Sequence, residues 1–279
     1  MLQGGAVSHG WRPDRGLIPY AWRGYNEALF LIILALGSPT FPVGAETYGE
    51  WLSTYRWRRI YGYEHVYSGP LFTHQLSHLW IDFRGIRDGY MRDRGIDYFE
   101  NSRRATYVQR EYAMRNPRRL KGYGEHVWGV TASEGPAWPQ RASRNSDRKF
   151  FGYHARGVPF GPDDGTLSPW ALATALPFAP EIVMPAMRHM SEVYPEILNG
   201  YGYASSFNPS YPGETDAGWI SKEHYAIDQG PLVMMAGNHL SGILWRLSRS
   251  NEYIVRGLER AGFTGGWLES SRQDFQHME

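Results

Sequence analysis

Glu27 stands directly before an unbroken apolar stretch, Ala28 to Leu36. A carboxyl at such an edge is partly desolvated, which raises its pKa and suits it to donate a proton near neutral pH. The same place also suits an acid drawn to a helix N-terminus. Trp22, Tyr25 and Asn26 beside it are types that contact sugars, because rings stack on apolar sugar faces while polar tips bond the rim hydroxyls. A second group is Trp128-Gly129-Val130-Thr131-Ala132-Ser133-Glu134-Gly135-Pro136, followed by Tyr153-His154 and Asp163-Asp164-Gly165-Thr166. Here Trp128 could serve as a sugar platform, with Glu134 and Asp164 bonding hydroxyls or moving protons. The competing explanation is a tight loop whose acids cap backbone amides. Third, His74, His78 and Asp82 recur every four residues, which on an α-helix places them on one face. Gln75 stands where a zincin helix needs glutamate, so a polar stripe along a ligand cleft is preferred to a metal site, with histidines satisfied inside a bundle as the alternative. Fourth, Asp228 in Ala226-Ile227-Asp228-Gln229-Gly230-Pro231 either caps the apolar segment that follows or faces a cleft from its mouth.

The elements that must position these groups read as helices. Tyr25–Leu36 is apolar on every face and should be buried all round, ending at Gly37-Ser38-Pro39. Further helices are expected over 46–59, 69–82, 96–114, 168–176, 180–193, 231–249 and 251–261. Between 122 and 168, and again from 199 to 228, the chain is rich in Gly, Pro and aromatics, as functional loops are. Strands should be scarce. With no repeat or linker-like shift in composition, residues 1–279 are expected to form one all-α domain of paired helices, with the long loops gathered at one end.

Composition narrows the chemistry. The 279 residues carry 29 Lys+Arg against 28 Asp+Glu, far from the basic footprint of a dedicated nucleic-acid binder. Without cysteine there is no disulfide, thiolate metal site or thiol nucleophile. No GxGxxG after a strand, P-loop, GxSxG or HExxH motif occurs, and no metal or cofactor is expected. The longest apolar run is too short for a membrane span, and the first ten residues lack the pattern of a secretory signal.

Taken in order, the segments resemble the glycoamylase-like family, which includes endo-β-1,2-glucanases and a domain of cyclic β-1,2-glucan synthases. The resemblance is carried by Tyr25-Asn26-Glu27-Ala28, Leu36-Gly37-Ser38-Pro39-Thr40, Gly69-Pro70-Leu71-Phe72-Thr73-His74-Gln75 through Trp80-Ile81-Asp82-Phe83-Arg84, and Asp97-Tyr98-Phe99. It continues in the Trp128–Pro136 loop, Asp164-Gly165-Thr166, Tyr201-Gly202-Tyr203 and Ile227-Asp228-Gln229-Gly230-Pro231. It implies an (α/α)6 toroid with a sugar cleft at one end and cleavage or rearrangement of a β-linked glucan, β-1,2-glucan being favoured. Glu27 matches the position of the general acid, and Asp228 is taken as the second catalytic candidate. Tyr25, His74, Gln75, Asp82, Arg84, Trp128, Glu134, His154 and Asp164 would line the sugar subsites.

Glu134 stands where the family more often carries aspartate. The family domain also extends upstream of the Tyr-Asn-Glu segment, so the ring is expected to be N-terminally incomplete. Two other outcomes follow from that: an inactive glucan-binding fragment, or a scaffold without sugar affinity. An open ring would also favour self-association through exposed apolar faces. Relatives work outside the cytoplasm, so the compartment is periplasmic or extracellular if a signal lies upstream and cytoplasmic otherwise.

Overall fold

In a computed structural model that describes residues 2–138, 140, 142–145 and 148–270, these described residues form nine α-helices, three 3₁₀ turns and a set of short hairpins around two adjoining hydrophobic clusters. The first α-helices are α1 (Leu29–Gly37), α2 (Glu46–Leu52), α3 (Gly89–Arg94) and α4 (Tyr98–Arg115). After the long loop come α5 (Pro169–Thr174), α6 (Pro180–Val193), α7 (Ala226–Ser241), α8 (Ile243–Arg249) and α9 (Glu252–Arg260). Helices supply the framework, as an all-α sequence predicts. The strands, however, are more numerous than expected: seven two-stranded antiparallel ladders occur among the described residues.

Local chemistry explains the helix ends. Asp97 caps α4 by accepting from the Glu100 amide at 2.8 Å, and Asn116, at φ 42°, terminates it in the left-handed region. Asn251 caps α9 through the Tyr253 and Ile254 amides, and Pro180 opens α6 at a position where no amide hydrogen is needed.

Four expectations are corrected. The segment 69–82 forms two 3₁₀ turns, Leu71–His74 and Leu76–Leu79, meeting at Gln75. At three residues per turn, His74, His78 and Asp82 no longer share a face. The helix expected over 46–59 stops at Leu52, and Trp57–Ile60 pairs with Tyr63–Val66 around Tyr61-Gly62, both at positive φ as a tight hairpin requires. The stretch 231–249 is two helices broken at Gly242 (φ 65°), where Asn238 Oδ1 accepts from the Leu244 and Trp245 amides. Finally, α1 is not buried on all sides, since Leu31 and Leu34 are 41% and 38% exposed.

One cluster gathers α1, α2, α9 and the Ile81–Ile96 region around Ile32, Trp51, Phe83 and Phe263. The other gathers α5, α6, Trp128, Phe178, Phe207 and Trp245. Phe99 packs against both. Helices α1 and α9 approach almost backbone to backbone: a Cβ on Gly37 would overlap the Tyr253 carbonyl, and one on Gly257 the Ile33 carbonyl. Gly257→Ala is expected to lower stability by about 3 kcal/mol, because neither helix can retreat without opening the cluster. Chemical denaturation would measure it, and a loss below about 0.5 kcal/mol, the range of an ordinary surface change, would contradict this packing.

Candidate active site

Glu27, Glu134 and Asp228, far apart in sequence, line one cavity of about 520 Å³ together with Phe72, Leu76, Trp138, Tyr153, Trp170, Ser205 and Tyr225. Each carboxylate arrives on a different element. Glu27 ends the approach to α1, and its carbonyl accepts from Ser77 Oγ at 3.0 Å, while the same hydroxyl oxygen accepts from the Phe30 amide at 3.1 Å. No side chain caps α1, so the Glu27 carboxyl is not spent on that helix. Burial raises its pKa, against the hydrogen bond from its own backbone amide and the charge of nearby His9.

Glu134 follows the strand Ala132–Ser133, which pairs with His154–Ala155. Its carboxylate accepts from Ser221 Oγ, and from the Tyr225 hydroxyl at 3.2 Å. Its carbonyl accepts from Ser206 Oγ at 2.9 Å, so main chain and side chain are both tied to segment 205–225. Burial raises the Glu134 pKa, the Tyr225 bond opposes this, and the charges of Glu223 and Asp228 add to it. Tyr225 is in turn pushed up to about 12 by desolvation and by Glu134.

Asp228 sits in the first turn of α7 without capping it. A carboxylate there should be favoured by the helix dipole. Burial wins instead and lifts Asp228 to about 6, despite Ser205, and Oδ2 has no hydrogen-bond partner among the described residues. Three acids whose protons are held above the usual carboxylate range can give and take protons in a largely apolar hollow. Among the described residues, no three His, Cys, Asp or Glu side chains gather as a metal ion would require.

The remaining sequence-predicted residues lie elsewhere. Trp128 is fully buried and serves the core. Tyr25 is also interior, stacked on Tyr98 at 5.7 Å and beside His74. His74 bonds the Ser68 carbonyl at 3.1 Å, and burial drives its pKa down to about 3, leaving a neutral core histidine. Gln75 donates to the Ala171 carbonyl at 2.7 Å, which ties the 3₁₀ segment to α5. Asp82 is ion-paired with Arg84 and Arg249, and Arg84 lies over Trp245 at 4.4 Å, a pinning contact between loop and α8. Asp164 pairs with Arg156, and half-exposed His154 stacks on Phe151 at 4.4 Å. None of these eight is on the cavity wall. Sequence reasoning named Tyr153 in the second group without giving it a role and passed over Trp138, Trp170, Ser205 and Tyr225, because composition cannot separate an exposed loop aromatic from one turned into the core.

A helix-rich frame and an acidic, aromatic-walled cavity define a candidate carbohydrate-active class. Residues 19–252 match the Glycoamylase family profile, described as "Putative glucoamylase", and the chain belongs to that family. It is 26% identical, over 90% of its length, to an exo β-1,2-glucooligosaccharide sophorohydrolase (non-reducing end) of Parabacteroides distasonis, of which it spans 35%. A solved protein of the same family description from Bacteroides uniformis superposes with a TM-score of 0.82 and 31% identity, covering 95% of this chain and 61% of that one. An endo-β-1,2-glucanase from Chitinophaga pinensis, solved with sophorotriose and glucose, gives 0.79 and 31%, covering 94% and 60%. The chain thus spans about a third of the sophorohydrolase and three fifths of these two solved relatives.

Proposed function

We propose that this protein cleaves β-linked glucan, with β-1,2-glucan as its substrate, and that its helix pairs form part of an (α/α)6 toroid with the cavity at one end. The observation that carries the proposal is the convergence of Glu27, Glu134 and Asp228 with Tyr153, Trp138 and Trp170 on one hollow. In this scheme Glu27 protonates the departing glycosidic oxygen. Asp228, ionised, acts as the second catalytic carboxylate, and Glu134 orients hydroxyls. Glycoside hydrolysis uses a pair of carboxyls, one that gives a proton and one that acts in its charged form. The likeness to β-1,2-glucan hydrolases supports the substrate.

Incubation with linear β-1,2-glucan should release short oligosaccharides detectable by chromatography. A folded protein that binds the glucan yet releases nothing would defeat the hydrolase assignment. The pH dependence follows from Asp228. A group that must be charged is lost when protonated, so kcat/KM should fall as pH drops through about 6. Asp228→Asn should remove that acidic limb along with most of the rate. A residual activity that kept the inflection would assign it to another group.

A further inference from the structure

Tyr153 combines two features that folding alone does not explain. Its side chain is 63% exposed, yet the residues just before it are held by bonds from a buried ion pair. The neighbouring Gly152 has no room for a side chain, because a Cβ there would overlap the Gln140 carbonyl. Behind the turn lies the fully buried Arg156–Asp164 pair. Arg156 grips Asp164 with Nε at 2.7 Å and Nη2 at 2.9 Å. The same guanidinium donates to the carbonyls of Ser133 (2.7 Å), Phe151 (3.2 Å) and Gly152 (3.1 Å). Asp164 meanwhile accepts from the Phe151 amide at 2.8 Å. One planar cation thus locks the turn that carries Tyr153 to the strand that leads into Glu134.

Buried ion pairs contribute little net stability over apolar packing, so what such a pair supplies here is a fixed geometry. The geometry it fixes is that of an exposed ring on the cavity wall, beside half-exposed Trp138. Burial raises the Tyr153 hydroxyl pKa, and the charges of Glu27 and Asp228 raise it further, so the phenol lies within electrostatic reach of both acids.

We propose that Tyr153 is the platform that seats a glucosyl ring between Glu27 and Asp228, and that Arg156 and Asp164 are the residues that position it. The proposal rests on the glucan-cleaving assignment and adds the group that orients the sugar. The ring face would stack on the pyranose, and the hydroxyl would bond a sugar oxygen on the acid side.

The test combines steady-state kinetics on linear β-1,2-glucooligosaccharides with calorimetric titration of the same oligosaccharides into Glu27→Gln protein. Tyr153→Ala should raise KM and weaken binding by about tenfold or more, the order expected for losing an aromatic platform. Tyr153→Phe should restore most of that loss. Arg156→Lys, in protein shown to be folded by its melting curve, should move KM in the same direction. Combining it with Tyr153→Ala should add almost nothing, since both act through one ring. Wild-type binding in Tyr153→Ala, or fully additive effects of the two changes, would overturn the proposal while leaving the hydrolase assignment standing. Failure of the parent protein to bind any β-1,2-glucooligosaccharide would overturn the assignment and this proposal together.

Discussion

Glu27→Gln should lower kcat on β-1,2-glucan by about a thousandfold or more with KM nearly unchanged, in the range of losing a positioned proton donor. Glutamine has the same shape and keeps the apolar contacts of the stem. The backbone at this point is held by Ser77 through bonds that the substitution does not touch. What disappears is the ionisable carboxyl, whose pKa burial raises. A loss confined to KM would mean that Glu27 binds sugar but donates nothing, and a variant as fast as the parent would remove it from the chemistry. Folding should be unaffected, because the first turn of α1 does not use the carboxyl as a cap.

Asp164→Asn should have the largest effect on stability, about 3–5 kcal/mol, because it leaves the Arg156 cation buried without its counter-charge. For a chain of this size that corresponds to a fall of about 10 °C in melting temperature. Burial alone would raise the Asp164 pKa, but the Arg156 bonds and charge, with the Phe151 amide, hold it below the ordinary 3.8. A depressed carboxylate contributes stability that is complete above its unfolded pKa and is lost as pH falls through the folded one. The parent protein should therefore give up this contribution below about pH 4, and Asp164→Asn should lack that acid-dependent component. A melting temperature within about 2 °C of the parent would show that the pair does not brace the loop.

Legibility in the sequence tracked how local the determining forces are. Helices α4 and α6 were readable because caps, apolar spacing and a leading proline all lie within the segment. The segment 69–82 was not, because the Leu71 and Phe72 amides bond the Val130 carbonyl and Thr131 Oγ1, partners some sixty positions away. The break at Gly242 is in the same class: a lone glycine in an apolar run reads as tolerated until Asn238 folds back to accept from the Leu244 and Trp245 amides. At the cavity, Glu27 and Asp228 stood out because each borders an apolar helix, a pattern visible in one dimension. Trp128 and Tyr153 could not be ranked in the same way. Both are loop aromatics near glycines, and only the three-dimensional fold sends one into the core and the other to the cavity wall.

The cavity lies where the two hydrophobic clusters adjoin. Glu27 is carried by the chain that enters α1, in the cluster built on Trp51 and Phe263, whereas Trp170 belongs to the cluster built on Phe178 and Phe207. The spacing between Glu27 and the other two acids is therefore a property of how the halves sit together, not of any one helix. A saccharide that touches both sides would act as a crosslink. At a hundredfold excess over Kd it would add about 2.7 kcal/mol against separation of the halves, and melting would shift upward as the ligand is added.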